Sequence, residues 1–211
     1  NTMLAALGAR LPLSESLGMM VVDIGGGTTE IAVMSLAGVV TWRSLDIAGD
    51  ELNKNIIHYA RDVFNLLLGE RIAEKIKMRI GSAVDQDDTL QIEMRGRDLL
   101  SGLPKEIIVN DTQIREAIQR SVRIIVDNIK STLEITPPEL VADIYERGIV
   151  LTGGGALLRG LDTLISRQVA IPVRVAEDPL TCVVRGAGLL LDQPELLQDI
   201  SLPSASEGGI I

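Results

Sequence analysis

The chain has 211 residues and a formal net charge of −9; 46% of its residues are hydrophobic, 23% are charged and only 2% are aromatic. This length and composition are typical of one globular domain, or of one domain with an insertion, that buries a core. The negative charge and the lack of base-stacking aromatic rings argue against a nucleic-acid partner. No apolar run approaches the roughly 20 residues that a membrane-crossing helix needs, so no direct membrane span is expected. Cys182 and His58 are the only residues of their types, which excludes a Cys/His zinc site.

A β-meander is predicted near the start of the chain. Residues 19–24, 28–34 and 39–47 are apolar or alternate in polarity, and short turns separate them. The first of these turns holds the three glycines of VVDIGGGTTEIAV, which spans residues 21–33. Consecutive strands joined by tight turns predict antiparallel pairing.

A mostly helical segment follows the meander. A first helix is predicted from Asp50, a suitable N-cap, to Gly69. A second helix carries an isoleucine at every fourth position and is expected to end at Gly81. Residues 90–97 and 103–109 predict a short strand pair.

The rest of the chain alternates helices and strands. A long helix is predicted from Asn110 or Asp111 to the pair Pro137–Pro138. The next predicted elements are a strand over residues 148–151, a helix over 156–167, a strand over 173–176 and a helix over 180–191.

One layered α/β domain with an inserted, mostly helical α+β subdomain accounts for this order of elements. We therefore predict a core subdomain over residues 1–50 and 111–192 and an inserted subdomain over residues 51–110. Residues 193–211, rich in Ser, Gly and Pro, are predicted to be a flexible tail.

The first glycine run suggests a site for phosphate. A Walker A loop would need a lysine after the last glycine, and a dinucleotide fingerprint would need a helix; the sequence has Thr28, Thr29 and a predicted strand instead. Two interpretations stay open: an ordinary glycine turn, or a nest of N–H groups that binds an anion. Asp23 is placed to bind a cation or its water shell, and the two threonine hydroxyls would add donors.

The second glycine run, TGGGALLRG over residues 152–160, is predicted to follow a strand and open a helix. Its N–H groups would then lie at the positive end of that helix. As a dinucleotide motif it is imperfect because Leu158 occupies the place of the third glycine, although Glu177 lies where a ribose-binding acid would fall. A dinucleotide-binding oxidoreductase therefore stays a minor alternative. Glu74 and Lys77, three residues apart on a predicted helix, indicate by themselves only a solvated ion pair.

The two glycine turns, DIGGGTT and LTGGGA, separated by a helical insert, resemble the nucleotide-binding core shared by actin, sugar kinases and DnaK-type chaperones. Three longer segments, GSAVDQDDTLQIEMRGRDLLSGLPKEI, TPPELVADIYERGIVLTGGGALLRGLD and AEDPLTCVVRGAG, are similar to segments of the MreB family of bacterial actins. The resemblance extends over about residues 5–192 and corresponds to the C-terminal half of that family.

The resemblance implies an RNase H-like, actin-like ATPase fold with a β-β-β-α-β-α core, and ATP and Mg²⁺ as ligands. It also implies head-to-tail filaments that organise cell-wall synthesis and rod shape. The implied location is the cytoplasm at the inner face of the membrane, with cell-wall elongation and membrane-anchoring proteins as partners. The N-terminal half of the same protein would supply the other phosphate loop. A sugar-kinase-like phosphotransferase is the alternative within the same superfamily.

The resemblance also implies roles for particular residues. The phosphates would be bound by Gly25, Gly26, Gly27 and Thr28, and Mg²⁺ by Asp23 through water. The adenosine would be held on one side by Glu74, Lys75, Ile76 and Lys77, and on the other by Gly153, Gly154, Gly155, Ala156 and Leu157. The family's usual catalytic glutamate is not matched, since Asn1 stands near its position and an amide cannot accept a proton as a carboxylate does. Asp23 and Thr28 are then the candidate catalytic residues, in a slow ATPase coupled to polymerisation, and this chain alone is expected to be inactive.

Overall fold

The computed structural model describes residues 2–193, which form two β-sheets and seven α-helices. The strands are β1 (Met19–Ile24), β2 (Thr29–Ser35), β3 (Gly38–Leu45), β4 (Leu66–Leu67), β5 (Gln91–Asp98), β6 (Pro104–Asn110), β7 (Ile149–Thr152) and β8 (Val173–Val175). The helices are α1 (Thr2–Gly8), α2 (Gly49–Phe64), α3 (Glu70–Ile80), α4 (Asp111–Glu134), α5 (Pro138–Arg147), α6 (Leu161–Val169) and α7 (Cys182–Asp192). Asn1 and the predicted tail beyond Gln193 lie outside the described residues.

The main sheet has the strand order β3-β2-β1-β7-β8. The predicted meander is confirmed, because β1, β2 and β3 pair antiparallel, whereas β7 and β8 run parallel to β1. The carboxyl ends of β1 and β7 therefore lie side by side, with Asp23 paired to Thr152. In sheets of this kind, ligands bind beyond the carboxyl ends of the parallel strands.

Helices cover both faces of the main sheet, and β1 is buried throughout. Alternate residues of β1 belong to two separate cores, as the two-residue repeat of a strand requires. Met20, Val22 and Ile24 pack into the larger core with α2, α3, α4 and α6. Met19 and Val21 pack into the smaller core with α1 and the start of α7. Helix α1, which was not predicted, thus covers one face of the sheet.

The second sheet has the order β4-β5-β6 and lies within residues 66–110. The prediction that the first helix of this region reaches Gly69 is wrong: α2 ends at Phe64. Asn65 adopts a left-handed conformation with φ 51°, and its N–H caps the helix on the Ala60 and Arg61 carbonyls. Leu66 and Leu67 then pair with β5.

The predicted N-cap of α2 is also wrong, since the helix begins at Gly49 and Asp50 lies in its first turn. The division into core and inserted subdomains stays a prediction.

Helix α4 joins the two sheets. It begins as predicted after Asn110, whose side chain accepts a hydrogen bond from the Gln113 N–H while the Gln113 side chain accepts from the Asn110 N–H, a reciprocal capping box. At 24 residues the helix is about 36 Å long. Its first N–H donates to Leu90 beside the second sheet, and its Asn128 accepts a hydrogen bond from Arg43 of the main sheet.

The predicted helices near the C-terminus begin later than expected. The glycine run is followed by a 3-10 turn, Gly154–Leu157, and α6 begins only at Leu161. Likewise a 3-10 turn, Pro179–Thr181, precedes α7. Cys182 is fully buried at the start of α7. Among residues 2–193, no helix combines the length and apolar character needed to cross a membrane.

Candidate nucleotide site

The first glycine run forms the turn between β1 and β2. The Gly25 N–H closes the turn on the Thr28 carbonyl at 2.9 Å, which leaves the N–H groups of Gly26 and Gly27 without an acceptor among the described residues. Gly26, Gly27 and Thr28 are exposed. The carbonyls of Gly25 and Gly26 accept the Gly49 and Asp50 N–H groups at 3.1 and 2.8 Å, so the turn rests on the first residues of α2. Exposed N–H groups on a fixed backbone are suited to bind an anion.

Asp23 lies at the end of β1 and is only 9% exposed. Its Oδ1 accepts a hydrogen bond from the Thr152 hydroxyl at 3.0 Å. Burial raises the pKa of Asp23, the bond from Thr152 lowers it in part, and the charge of Glu30 on the neighbouring strand raises it further. A bound cation would oppose both causes of this increase, because it stabilises the ionised form.

The raised pKa of Asp23 predicts a pH-dependent effect on stability. The unfolded carboxyl ionises near 3.8, and the folded one ionises at higher pH. Between these values the folded state binds more protons, so the contribution of Asp23 to stability falls as pH rises. We expect the free energy of unfolding of Asp23→Asn to rise relative to that of the wild type as pH rises through this window, and to stay higher at neutral pH. Urea unfolding at a series of pH values measures this difference.

Asp98→Asn is the matched control for this experiment. The Leu100 N–H lowers the pKa of the exposed Asp98 carboxyl, so the sign is reversed. This variant should lose stability relative to the wild type as pH rises. The same pH trend in both variants would contradict the assignment of opposite environments to the two carboxyls.

The two threonines after the glycines differ in their surroundings. Thr28 is exposed, and its hydroxyl lies at the turn. Thr29 is fully buried, and its hydroxyl donates to the Ile47 carbonyl at 2.7 Å. A hydroxyl has one hydrogen to donate, so the prediction that both threonines would supply donors to a ligand is wrong for Thr29.

The second glycine run packs directly against the end of β1. Gly153 has φ +80°, and a Cβ atom there would lie 2.3 Å from the Ile24 carbonyl oxygen and 2.8 Å from Asp23 Oδ1. The Gly153 N–H donates to the Pro179 carbonyl at 2.9 Å. Because α6 begins only at Leu161, this run does not open an α-helix, and that prediction is wrong. The run instead places its backbone beside Asp23.

The predicted segment of α3 reaches the site through Lys77. Its ammonium Nζ donates to the Gly49 carbonyl at 2.9 Å, and the Gly49 N–H in turn bonds to Gly25 of the first glycine turn. Burial lowers the pKa of Lys77, while the charges of Glu74 and Asp50 raise it. The interpretation of Lys77 as part of a solvated surface pair is therefore wrong.

The other predicted residues of α3 have different surroundings. Glu74 and Lys75 are exposed. Ile76 is 1% exposed and belongs to the large core. Burial therefore leaves almost none of Ile76 accessible to a ligand.

Arg159 is a structural part of this region that the sequence analysis missed. Its guanidinium donates to the Ile80 and Gly81 carbonyls at 2.7 and 3.1 Å, at the C-terminal end of α3. A cation at this end of a helix is favourable. Arg159 therefore ties the chain that follows the second glycine run to α3. The sequence gives one signal for a structural role of Arg159, the glycine that follows it. In the structure this residue, Gly160, has φ +72°.

The candidate residues meet at one edge of the main sheet. The second glycine run packs against Asp23 and Ile24, which directly precede the first glycine turn, and Lys77 joins α3 to that turn through Gly49. A cavity of about 510 Å³ lies along α4 and is lined by none of the predicted site residues. Fold and site together define the class of protein. Actin-like proteins share a mixed sheet with a glycine hairpin turn, a second glycine run on the adjacent parallel strand and an inserted α/β segment.

Comparison with known proteins agrees with this class. The family model for MreB/Mbl protein matches residues 1–199, and the chain belongs to that family. It is 53% identical over 194 residues to the cell shape-determining protein MreB of Escherichia coli strain K12, which covers 92% of this chain and 56% of that protein. The chain thus spans a little over half the length of this relative. Which part of the relatives it corresponds to stays a prediction.

Solved structures confirm the actin-like fold. The crystal structure of MreB5 of Spiroplasma citri bound to ADP superposes with a TM-score of 0.90 at 35% identity, covering 95% of this chain and 61% of that one. The MamK double helical filament has a TM-score of 0.75 at 22% identity, over 91% of this chain and 58% of that one, which supports the fold alone. The relatives are cell-shape proteins, so the phosphotransferase alternative is not favoured.

Proposed function

We propose that the protein is an ATP-binding bacterial actin whose protomers stack head to tail into filaments that organise cell-wall synthesis and rod shape. The observation that carries this proposal is the packing of the second glycine run against Asp23 and Ile24, directly before the first glycine turn, at the edge of the sheet where nucleotides bind in this class of fold. The naming of the E. coli relative as a cell shape-determining protein and the ADP bound to MreB5 support it. Filament location at the inner face of the membrane, and contacts with wall-elongation and membrane-anchoring proteins, are parts of the same proposal.

In this proposal the first glycine turn binds the β- and γ-phosphates. Gly26 and Gly27 offer exposed N–H groups, and Thr28 adds a hydroxyl. The adenosine lies between α3, with Glu74 to Lys77, and the second glycine run, with Gly153 to Leu157. A segment outside these 211 residues would supply the second wall of the cleft.

The residues present fit Mg²⁺ held through water. No group of three or more His, Cys, Asp or Glu side chains within residues 2–193 could hold a metal alone. Mg²⁺ commonly keeps several waters and takes only one or two carboxylates together with phosphate oxygens. Asp23 offers such a carboxylate close to the turn, and the bound ion would neutralise phosphate charge. With the usual glutamate unmatched, ATP turnover is proposed to be slow and coupled to polymerisation, with Asp23 and Thr28 nearest to the reacting phosphate.

The test uses the protein at its natural length, with ATP and Mg²⁺, in nucleotide titration, sedimentation and electron microscopy. We expect Mg²⁺-dependent ATP binding and ATP-dependent filaments in the pellet. Asp23→Asn should weaken the dependence on Mg²⁺, whereas Asp88→Asn, in an exposed loop, should not. Absence of filaments with every nucleotide would reject the cytoskeletal role. ATP turnover that rises with a small hydroxyl acceptor would favour a phosphotransferase instead.

A further inference from the structure

Residues 158–160 pack closely against the end of α3. Together with residues 80–84 they are here called the clasp. The Arg159 guanidinium donates from Nε to the Gly81 carbonyl at 3.1 Å and from its terminal nitrogen to the Ile80 carbonyl at 2.7 Å. The last carbonyls of a helix have no partner within the helix, so a donor of this kind satisfies them. One side chain therefore holds two successive carbonyls at the C-terminal end of α3.

The backbone of residues 158–160 takes part in the same contact. The Arg159 carbonyl accepts the Ala83 N–H at 2.8 Å, and a short parallel bridge joins Arg159 to Ser82. Gly160 has φ +72°, and a Cβ atom on it would lie 2.4 Å from Cγ2 of Val84. The two segments of the clasp are thus in contact through both backbone and side chains.

The clasp leads directly into the second glycine run. The Leu158 N–H closes the 3-10 turn of this run on the Gly155 carbonyl at 3.1 Å. Gly155 itself packs against β1, since a Cβ atom on it would lie 2.2 Å from Cγ2 of Ile24. The clasp therefore joins the end of α3 to a backbone segment that rests on the main sheet.

The hydrogen bonds of Arg159 fix a position that apolar packing alone would leave adjustable. Helix α3 packs into the large core through Ala73, Ile76 and Ile80. Apolar packing is not directional, so it tolerates small shifts of a helix. The planar guanidinium fork fixes both the distance and the direction of the groups that it binds. The distance between the end of α3 and the second glycine run therefore depends on Arg159.

We propose that Arg159 is a positioning residue that sets the width of the adenosine slot, the space between residues 74–77 of α3 and residues 153–157. This inference rests on the proposed function, which places the adenosine there. Arg159 acts through α3, because the two nitrogens described above are bound to protein carbonyls. A slot held at a fixed width needs no reorganisation when the base enters, and such preorganisation raises affinity.

The phosphate side of the site is held by other contacts. The first glycine turn rests on α2, where its carbonyls accept the Gly49 and Asp50 N–H groups at 3.1 and 2.8 Å. Lys77 reaches Gly49 with a flexible side chain, which can follow a small shift of α3. Loss of the Arg159 side chain should therefore weaken binding of the adenosine and leave binding of the phosphates unchanged.

The test measures the affinity of the protein at its natural length for two ligands, ATP and inorganic tripolyphosphate, each with Mg²⁺. Tripolyphosphate carries the phosphate chain without the base and the ribose. Arg159→Met is expected to weaken ATP binding about tenfold or more, the equivalent of one lost hydrogen bond to a charged group. The affinity for tripolyphosphate should stay unchanged. Calorimetric titration measures both affinities, and thermal unfolding establishes that each variant is folded.

Two further variants separate position from charge. Arg79→Met is the matched control, because Arg79 is exposed in the last turn of α3 and its loss removes the same charge from the same helix end. It should change either affinity less than about threefold. Arg159→Lys keeps the charge but replaces the planar fork by a single ammonium, so it should recover only part of the ATP affinity. This variant also carries the test if Arg159→Met does not fold.

The outcomes separate this inference from the proposed function. If the wild type binds neither ligand, the proposed function fails. If the wild type binds ATP and Arg159→Met binds it equally well, only the role of Arg159 is wrong. Equal losses of ATP and tripolyphosphate would overturn the inference in favour of a general structural role, and full recovery in Arg159→Lys would overturn it in favour of charge alone. If the wild type binds ATP but not tripolyphosphate, the separation of the two sides is wrong.

Discussion

Replacing Gly153 by alanine is expected to lower the free energy of unfolding by about 3 kcal/mol. An L-residue at φ +80° carries a penalty of roughly 1–2 kcal/mol. The new Cβ would in addition lie 2.3 Å from the Ile24 carbonyl oxygen and 2.6 Å from the carbonyl carbon. Both are backbone atoms of β1, which Ile24 holds in place by pairing with Thr29 of β2. Displacing them has the cost of overpacking, about 1–3 kcal/mol. Urea unfolding of the variant and the wild type measures the sum.

Gly27→Ala is the matched control for this substitution. Gly27 belongs to the other glycine run, and a Cβ built on it meets no atom within 4 Å. We expect a change in stability within about 0.5 kcal/mol, as for most exposed positions. A loss as large as that of Gly153→Ala would mean that glycine itself is needed throughout the site, and that close packing at Gly153 is not the cause.

The elements predicted correctly from sequence are those that depend on local signals. The strands of the meander show two-residue alternation or continuous apolar character, and their turns are short. Helix α4 has an isoleucine stripe along its length and the Asn110–Gln113 capping box at its start. Such features need no knowledge of the rest of the chain, so periodicity and capping chemistry were sufficient to predict them.

The errors in the fold have non-local causes. Leu66 and Leu67 continue the helical periodicity of α2, but pairing with Arg97 and Asp98 on β5 removes them from the helix. That pairing joins residues about thirty positions apart, and propensity does not reveal it. Helix α1 is only seven residues long, too short for a periodic signal. Its place is determined by packing against α7, where Gly8 and Gly186 allow close approach.

The candidate site was predicted in part from the residues themselves. Asp23 and the first glycine turn followed from the exclusion of other glycine motifs, and the structure joins them to Thr152 and α2. By contrast, Lys77 bonds to Gly49 across 28 positions, and Arg159 bonds to Ile80 across 79. A contact between such distant residues depends on how α3 packs, so spacing along the chain suggested only a surface pair for Lys77 and no role for Arg159.

Lys77→Met is expected to weaken ATP binding by roughly 10- to 100-fold, the equivalent of the 1.5–3 kcal/mol of a hydrogen bond to a charged group. The ammonium donates to the Gly49 carbonyl at 2.9 Å, and the Gly49 N–H in turn bonds to Gly25 of the first glycine turn. Two further N–H donors of the ammonium remain for a ligand. Methionine keeps the length of the side chain and packs well against α2. The burial that lowers the Lys77 pKa also disfavours the charge that methionine removes. For both reasons, the free energy of unfolding should change little. Calorimetric titration with ATP and Mg²⁺, at the natural length of the protein, measures the affinity.

Lys75→Met distinguishes the geometry from the mere charge of α3. Lys75 is two positions away on the same helix and exposed, and the family resemblance gives it the same role as Lys77. Because an exposed charge is screened by water, its loss should change the affinity less than about threefold. Equal losses in the two variants would show that α3 attracts the nucleotide only through its overall charge. A loss confined to Lys77→Met would identify the bond to Gly49 as the link by which α3 positions the first glycine turn for the proposed nucleotide.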